Sequence, residues 1–146
     1  MKYTIYTDGA YTQIKNLCGC SYLILTDTHY IHSDSVTLLD VSKPTNAETV
    51  SVGLAAEYLL DNVHLEKDDI VTFNIDCLST ISFCKKYVNE KGIVMSNSNK
   101  VVTAIGTLRA LSRKCKVRFE KVHGHKKVIN PNTYVDRLAK IAIRRD

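Results

Sequence analysis

Residues 2–8 (KYTIYTD) alternate, with Tyr3, Ile5 and Thr7 on one side and Thr4, Tyr6 and Asp8 on the other. A period of two marks a half-buried strand, predicted here to end at Asp8 and pass into a loop. Two more extended runs follow, over 21–26 (SYLILT) and from 30 to about 39, and the short TDTH between them suits a hairpin. Residues 46–60 (NAETVSVGLAAEYLL) carry the helical period instead, with Asn46 as N-cap and Glu48 in the first turn, where the helix dipole favours an acid. Alternation returns over 70–76 (IVTFNID), with Val71, Phe73 and Ile75 on one face and Asp76 closing the strand. Helices are predicted over 78–87 and 99–113, separated by an irregular stretch at 88–98. A strand is predicted over 115–122. Asn130 and Pro131 then supply an N-cap and an N1 proline for a last helix to about residue 145. The order β-β-β-α-β-α-α-β-α predicts an α/β fold, a mixed sheet flanked by helices.

Length and composition narrow the picture. The 146 residues suit a single domain, 1–146. A hydrophobic fraction of 45% with 24% charged residues excludes a disordered chain. No apolar run approaches the ~20 residues of a membrane span, and the polar start MKYTIYTDGA lacks the apolar stretch of a secretion signal. The five cysteines (Cys18, Cys20, Cys77, Cys84, Cys115) are odd in number and have no repeated spacing, so they read as reduced thiols in a cytoplasmic compartment. Cys18-Gly19-Cys20 reads as a run of small residues leading into a strand rather than half of a metal clip, because no second pair exists. A net charge of +5 and an isoelectric point near 8.9 are a mild attraction to polyanions.

Four carboxylates carry the chemistry. Asp8 and Asp76 each close a predicted strand, and in open α/β sheets ligands bind in the crevice beyond the strand ends. If the first and fourth strands are parallel neighbours, ~4.8 Å apart, the two acids converge. Taken singly, either one also reads as an aspartate that starts a turn. Glu48 shares a helical stripe with Val52, Ala55 and Leu59, which leans it toward the core, although a first-turn acid also satisfies the dipole. Asp136 has the same pair of readings in the last helix, beside Val135, Leu138, Ala139 and Ala142. Acids gathered in a small volume raise one another's pKa values unless cations hold them. Oxygen ligands without thiolates select Mg²⁺, with Mn²⁺ as a substitute. Two such ions ~4 Å apart serve in-line displacement at a phosphodiester. His123-Gly124-His125, on the loop before the last helix, can bring an imidazole to the edge of such a site; a pair of surface histidines is the plainer reading.

Thr7-Asp8-Gly9, Asn46-Ala47-Glu48, Ile75-Asp76 and Val122-His123-Gly124-His125, followed by Val135-Asp136-Arg137-Leu138-Ala139, resemble a type 1 ribonuclease H in order and spacing, over essentially the whole chain. The resemblance implies a ribonuclease H-like five-stranded mixed sheet, with the first three strands antiparallel and the fourth parallel to the first. It implies an endoribonuclease that cuts the RNA strand of RNA–DNA hybrids by two-metal-ion catalysis, leaving 5′-phosphate and 3′-hydroxyl ends. Carried onto this chain, Asp8 bridges both ions and Asp136 holds the ion that activates water. Glu48 and Asp76 hold the ion at the leaving 3′-oxygen, and His125, rather than His123, matches the mobile histidine. Gly9, Thr45 and Asn46 fall where the family contacts the hybrid. Lys85, Lys86, Lys126 and Lys127 are candidate phosphate contacts, each of them also readable as part of a solvated lysine face. The partners expected are the hybrid and a replication-associated protein, around a monomer with no membrane association.

The chain also departs from the family pattern. Thr45 stands where asparagine usually precedes the helix glutamate by three, Cys77 stands where serine often follows the second aspartate, and the loop after Asp8 lacks a Gly/Pro-rich run. No tryptophan occurs, so residues 83–98 lack the tryptophan-bearing basic handle of some members. No separate hybrid-binding domain is expected before the first strand. Weaker hybrid affinity, or a partner that supplies grip, follows. The rival readings are a junction resolvase or retroelement-type nuclease of the same fold, and a non-catalytic nucleic-acid-binding module. Four crowded acids argue against the last, since a binding surface gains nothing from negative charge beside phosphates.

Overall fold

The structure, a computed structural model, describes residues 1–12, 17–27, 29–39, 44–89, 92–96, 98–122 and 131–144. Among them the elements follow the predicted order: β1 (Lys2–Thr12), β2 (Leu17–Thr26), β3 (Tyr30–Leu38), α1 (Pro44–Asn62), β4 (Ile70–Ile75), α2 (Leu78–Asn89), α3 (Asn99–Lys114), β5 (Lys116–Lys121) and α4 (Pro131–Arg144). The sheet order is β3-β2-β1-β4-β5. β1, β2 and β3 pair antiparallel, while β4 runs parallel to both β1 and β5.

The two faces of the sheet are assigned by β2. Cys18 and Cys20 are buried in a cluster with Ala47 and Val50 of α1 and Val101 of α3. Gly19, between them, must point the opposite way, and a Cβ there would stand 2.1 Å from the Ala139 carbonyl oxygen of α4. Helices α1 and α3 therefore cover one face and α4 covers the other. The Cys18 and Cys20 sulfurs lie 3.6 Å apart, and the Cys20 thiol donates to the Ala47 carbonyl oxygen at 3.3 Å, which makes them core groups. The main core holds Ile5, Val52, Ala55, Leu59, Val71, Phe73, Ile75, Leu108 and Leu111. The alternation over 70–76 and the helical stripe over 52–59 account for six of these nine.

Local chemistry sets the helix ends. Ser98 caps α3 by accepting the Val101 N–H at 3.4 Å, and Arg113 and Lys114 sit in its last turn against the negative end of the dipole. α1 begins at Pro44, so Asn46 is its third residue and not the N-cap, and Glu48 lies past the first turn. A proline at the first helical position loses no hydrogen bond, which explains the earlier start. Asp136 is likewise the sixth residue of α4 rather than a first-turn acid. β1 also outruns its predicted end by four residues. Asp8 is an interior residue, because antiparallel pairing continues from Asp8↔Ser21 to Thr12↔Leu17.

Candidate active site

On its other edge β1 is released much earlier. Parallel pairing with β4 stops at Thr7↔Ile75. Asp8 and Asp76 are each one residue past that last rung, on neighbouring strands ~4.8 Å apart. The crevice expected at a strand end therefore forms beside β1 instead of beyond it. Asp8 is 8% exposed and Asp76 is half-buried.

Glycine brings α1 to this point. A Cβ on Gly9 would stand 2.6 Å from the Glu48 nitrogen and 2.7 Å from the Ala47 carbonyl carbon. Only a residue without a side chain lets the helix backbone lie directly on the strand beside Asp8. The Ser51 hydroxyl bridges the same two elements, reaching the Asp8 carbonyl oxygen at 2.7 Å and the Ala47 carbonyl oxygen at 2.9 Å. From the opposite face, Ser21 donates its hydroxyl to the Val135 carbonyl oxygen, tying β2 to α4 one residue before Asp136.

The four acids form a chain of pairs. Burial and a hydrogen bond with the Asp136 carboxyl are the main causes that push the Asp8 carboxyl up to about 8. The charges of Asp136 and Glu48 add to the rise, and the Gly9 N–H, donating to Asp8 Oδ1 at 2.9 Å, opposes it. The Glu48 carboxyl is raised chiefly by burial and also by the Asp76 charge; hydrogen bonds from Thr80 and Cys77 pull it down. Thr80 donates to Glu48 Oε2 at 2.9 Å. Asp136 Oδ2 pairs with Lys140 Nζ at 3.0 Å, one helical turn on. Among the described residues, no three His, Cys, Asp or Glu side chains close into a ready-made metal cage. The donor set nevertheless suits a hard divalent cation. Asp8, buried against Asp136 and near Glu48, has its carboxyl pushed up, so its ionised form there calls for a compensating positive charge.

Thr45 and Asn46 line a shallow groove with Thr49, Ser79, Thr80 and Phe83, on the α2 side of Glu48. Lys85 and Lys86 are exposed on α2, and Lys86 Nζ lies 5.2 Å from the Tyr87 ring centre. Where a basic handle would stand, Ile93 and Met95 are exposed instead, at 87% and 77%. His123, His125, Lys126, Lys127 and the proposed cap Asn130 lie outside the described residues. Sequence reasoning missed Thr80, Ser51 and Ser21, whose hydroxyls act across the chain and leave no periodic trace. The role of Gly9 in admitting α1 was readable in principle, since a glycine inside a strand signals close backbone approach.

Solved structures of similar shape include RNase H1 from the halophilic archaeon Halobacterium salinarum, at 15% identity and a TM-score of 0.69, with 100% of both chains covered. The N-terminal RNase H domain of a Mycobacterium tuberculosis protein, studied as a maltose-binding-protein fusion, gives 15% identity and a TM-score of 0.70. That match covers 98% of this chain and 94% of the other. At such identity these likenesses show the fold. No curated protein matches significantly. The RNase H family model matches residues 1–144, and on that match the chain belongs to the RNase H family, nucleases acting on RNA–DNA hybrids with divalent metal ions.

Proposed function

We propose that this protein is an endoribonuclease that hydrolyses the RNA strand of RNA–DNA hybrids at Asp8, Glu48, Asp76 and Asp136, leaving 5′-phosphate and 3′-hydroxyl ends. The observation that carries the proposal is that these acids, on β1, α1, the end of β4 and α4, are brought to one place around a buried Asp8. Asp8 and Asp136 would hold one Mg²⁺, and Glu48 and Asp76, together with Asp8, would hold a second, with Mn²⁺ able to substitute. Bound there, the ions supply a nucleophilic water at neutral pH and charge stabilisation at the leaving oxygen. The chain's own contribution is orientation. Ser51 and the Gly9 contact keep α1, and Glu48 with it, against Asp8, and Ser21 fixes α4 beside the same strand. His125 assists proton transfer or product release from the loop before α4.

Thr45 and Asn46 engage the hybrid backbone from their groove, next to the exposed Lys85 and Lys86, with Lys126 and Lys127 adding phosphate contacts. The 2′-hydroxyl marks the strand to be cut, and groove shape reports the hybrid. The protein acts as a single-domain monomer, 1–146, alongside a replication-associated partner. Its five free thiols suit a reducing cytoplasm. No helix among the described residues is long and apolar enough to cross a membrane. The deciding experiment offers labelled hybrid, duplex RNA, duplex DNA and a four-way junction in Mg²⁺ and in EDTA. Cutting of the hybrid alone, and only with metal, is expected; preference for the junction would replace this reading with a resolvase.

A further inference from the structure

Threonine inside a helix usually returns its hydroxyl to the carbonyl oxygen four residues back. Thr49 does so to Thr45 at 3.1 Å and Thr107 to Thr103 at 3.0 Å. Thr80, the third residue of α2, sends its proton elsewhere. Its Oγ1 lies 2.9 Å from Glu48 Oε2, across 32 positions of chain, and the residue is 1% exposed. A hydroxyl has one proton to give, so a buried threonine aimed at a carboxylate fixes that carboxylate's orientation. The first turn of α2, which starts two residues after Asp76, therefore grips the acid opposite it.

We propose that Thr80 is a positioning residue for Glu48: its hydroxyl fixes the carboxylate rotamer, occupies Oε2, and leaves Oε1 as the oxygen offered to a divalent cation. This rests on reading Glu48 as a metal ligand. Partners that orient a ligand typically carry about 10–100-fold in metal affinity or activity. Thr80 would then set how much Mg²⁺ the site needs without touching substrate.

The test compares Thr80→Val, which keeps the shape and loses the hydroxyl, with Thr80→Ser, which keeps the hydroxyl. Mg²⁺ is titrated by calorimetry and by the rise in melting temperature over EDTA, with hybrid cleavage followed in parallel. Thr80→Val is expected to raise the Mg²⁺ midpoint by about 10-fold, and Thr80→Ser by no more than about 2-fold. Combined with Glu48→Gln, Thr80→Val should shift the midpoint no further. An unchanged midpoint in Thr80→Val overturns the proposal, as do equal losses in both variants, which would mean that the threonine methyl matters and not its hydroxyl. Should Thr80→Val not fold, Thr80→Ala takes its place under the same criteria. If the wild type and Asp8→Asn bind Mg²⁺ equally, the metal reading itself falls and takes this proposal with it; a metal response lost in Asp8→Asn but kept in Thr80→Val removes this proposal alone.

Discussion

The two ends of the acid chain are held in opposite ways. At one end Asp8 is pressed against Asp136, and its carboxyl receives a single backbone N–H, from Gly9, while its contact with Asp136 favours the protonated acid. At the other end Glu48 faces Asp76, but the Thr80 hydroxyl in the first turn of α2 holds it. The first pair is electrostatically strained in the absence of a cation, whereas the second is pre-oriented by a neutral donor. Under the proposed function, the contrast would amount to a division of labour: the Asp8 end would draw a cation in, and the Glu48 end would fix the geometry in which it is held. Positioned neutral donors keep their value in salt, whereas repulsion between acids vanishes once a cation arrives.

The largest effect should come from the strained end. Asp8→Asn removes a ligand along with several kcal/mol of charge stabilisation, so cleavage of hybrid should drop by at least ~100-fold. The same variant should melt no lower than wild type in EDTA, because a repulsive contact is gone; a clear fall in melting temperature would show that the pair is not strained. Gly9→Ala attacks the shared scaffold. A methyl 2.6 Å from the Glu48 nitrogen must push α1 away, at a cost of roughly 1–3 kcal/mol in denaturant unfolding together with most of the activity.

The pH dependence of the metal-free protein sharpens the contrast further. Asp8 holds its proton more tightly folded than unfolded, so its contribution to stability is complete below about pH 4 and is lost as pH rises toward 8. Melting temperature in EDTA should therefore decline across that window, with the decline removed by Asp8→Asn and reduced by Mg²⁺. A slope unchanged in Asp8→Asn would assign it to other groups. The smallest effect belongs to Lys140→Ala. Its pair with Asp136 is half-exposed and one turn apart, contributing about 0.3–0.5 kcal/mol, so the melting temperature should hardly move. A large drop would mean that Lys140 is a principal counter-charge of the Asp8–Asp136 pair.

Element order and core were legible because burial writes a period into the chain. Val71, Phe73 and Ile75 alternate inward on β4, and Val52, Ala55 and Leu59 recur at helical spacing on α1; all six are buried. The first four residues of β2 escaped because Leu17, Cys18, Gly19 and Cys20 are buried on both faces and so show no alternation. The last four of β1 escaped because their pairing is dictated by β2, not by their own sequence. At the site, the acids could be named from their places in the pattern, and Pro44 could have located the start of α1. Thr80 could not be found that way. Its importance lies in one long-range hydrogen bond, and residue spacing carries no record of which partner a hydroxyl selects.

One consequence follows from unequal strand lengths. β1 runs five residues beyond its last rung with β4, yet stays zipped to β2 all the way. The recess is thus a missing stretch of hydrogen-bond ladder, framed on its far side by the continuous β1–β2 pairing. The width of such a recess is quantised by strand spacing. Lengthening β4 by two or three pairing residues would brick it up and draw Asp76 into the ladder.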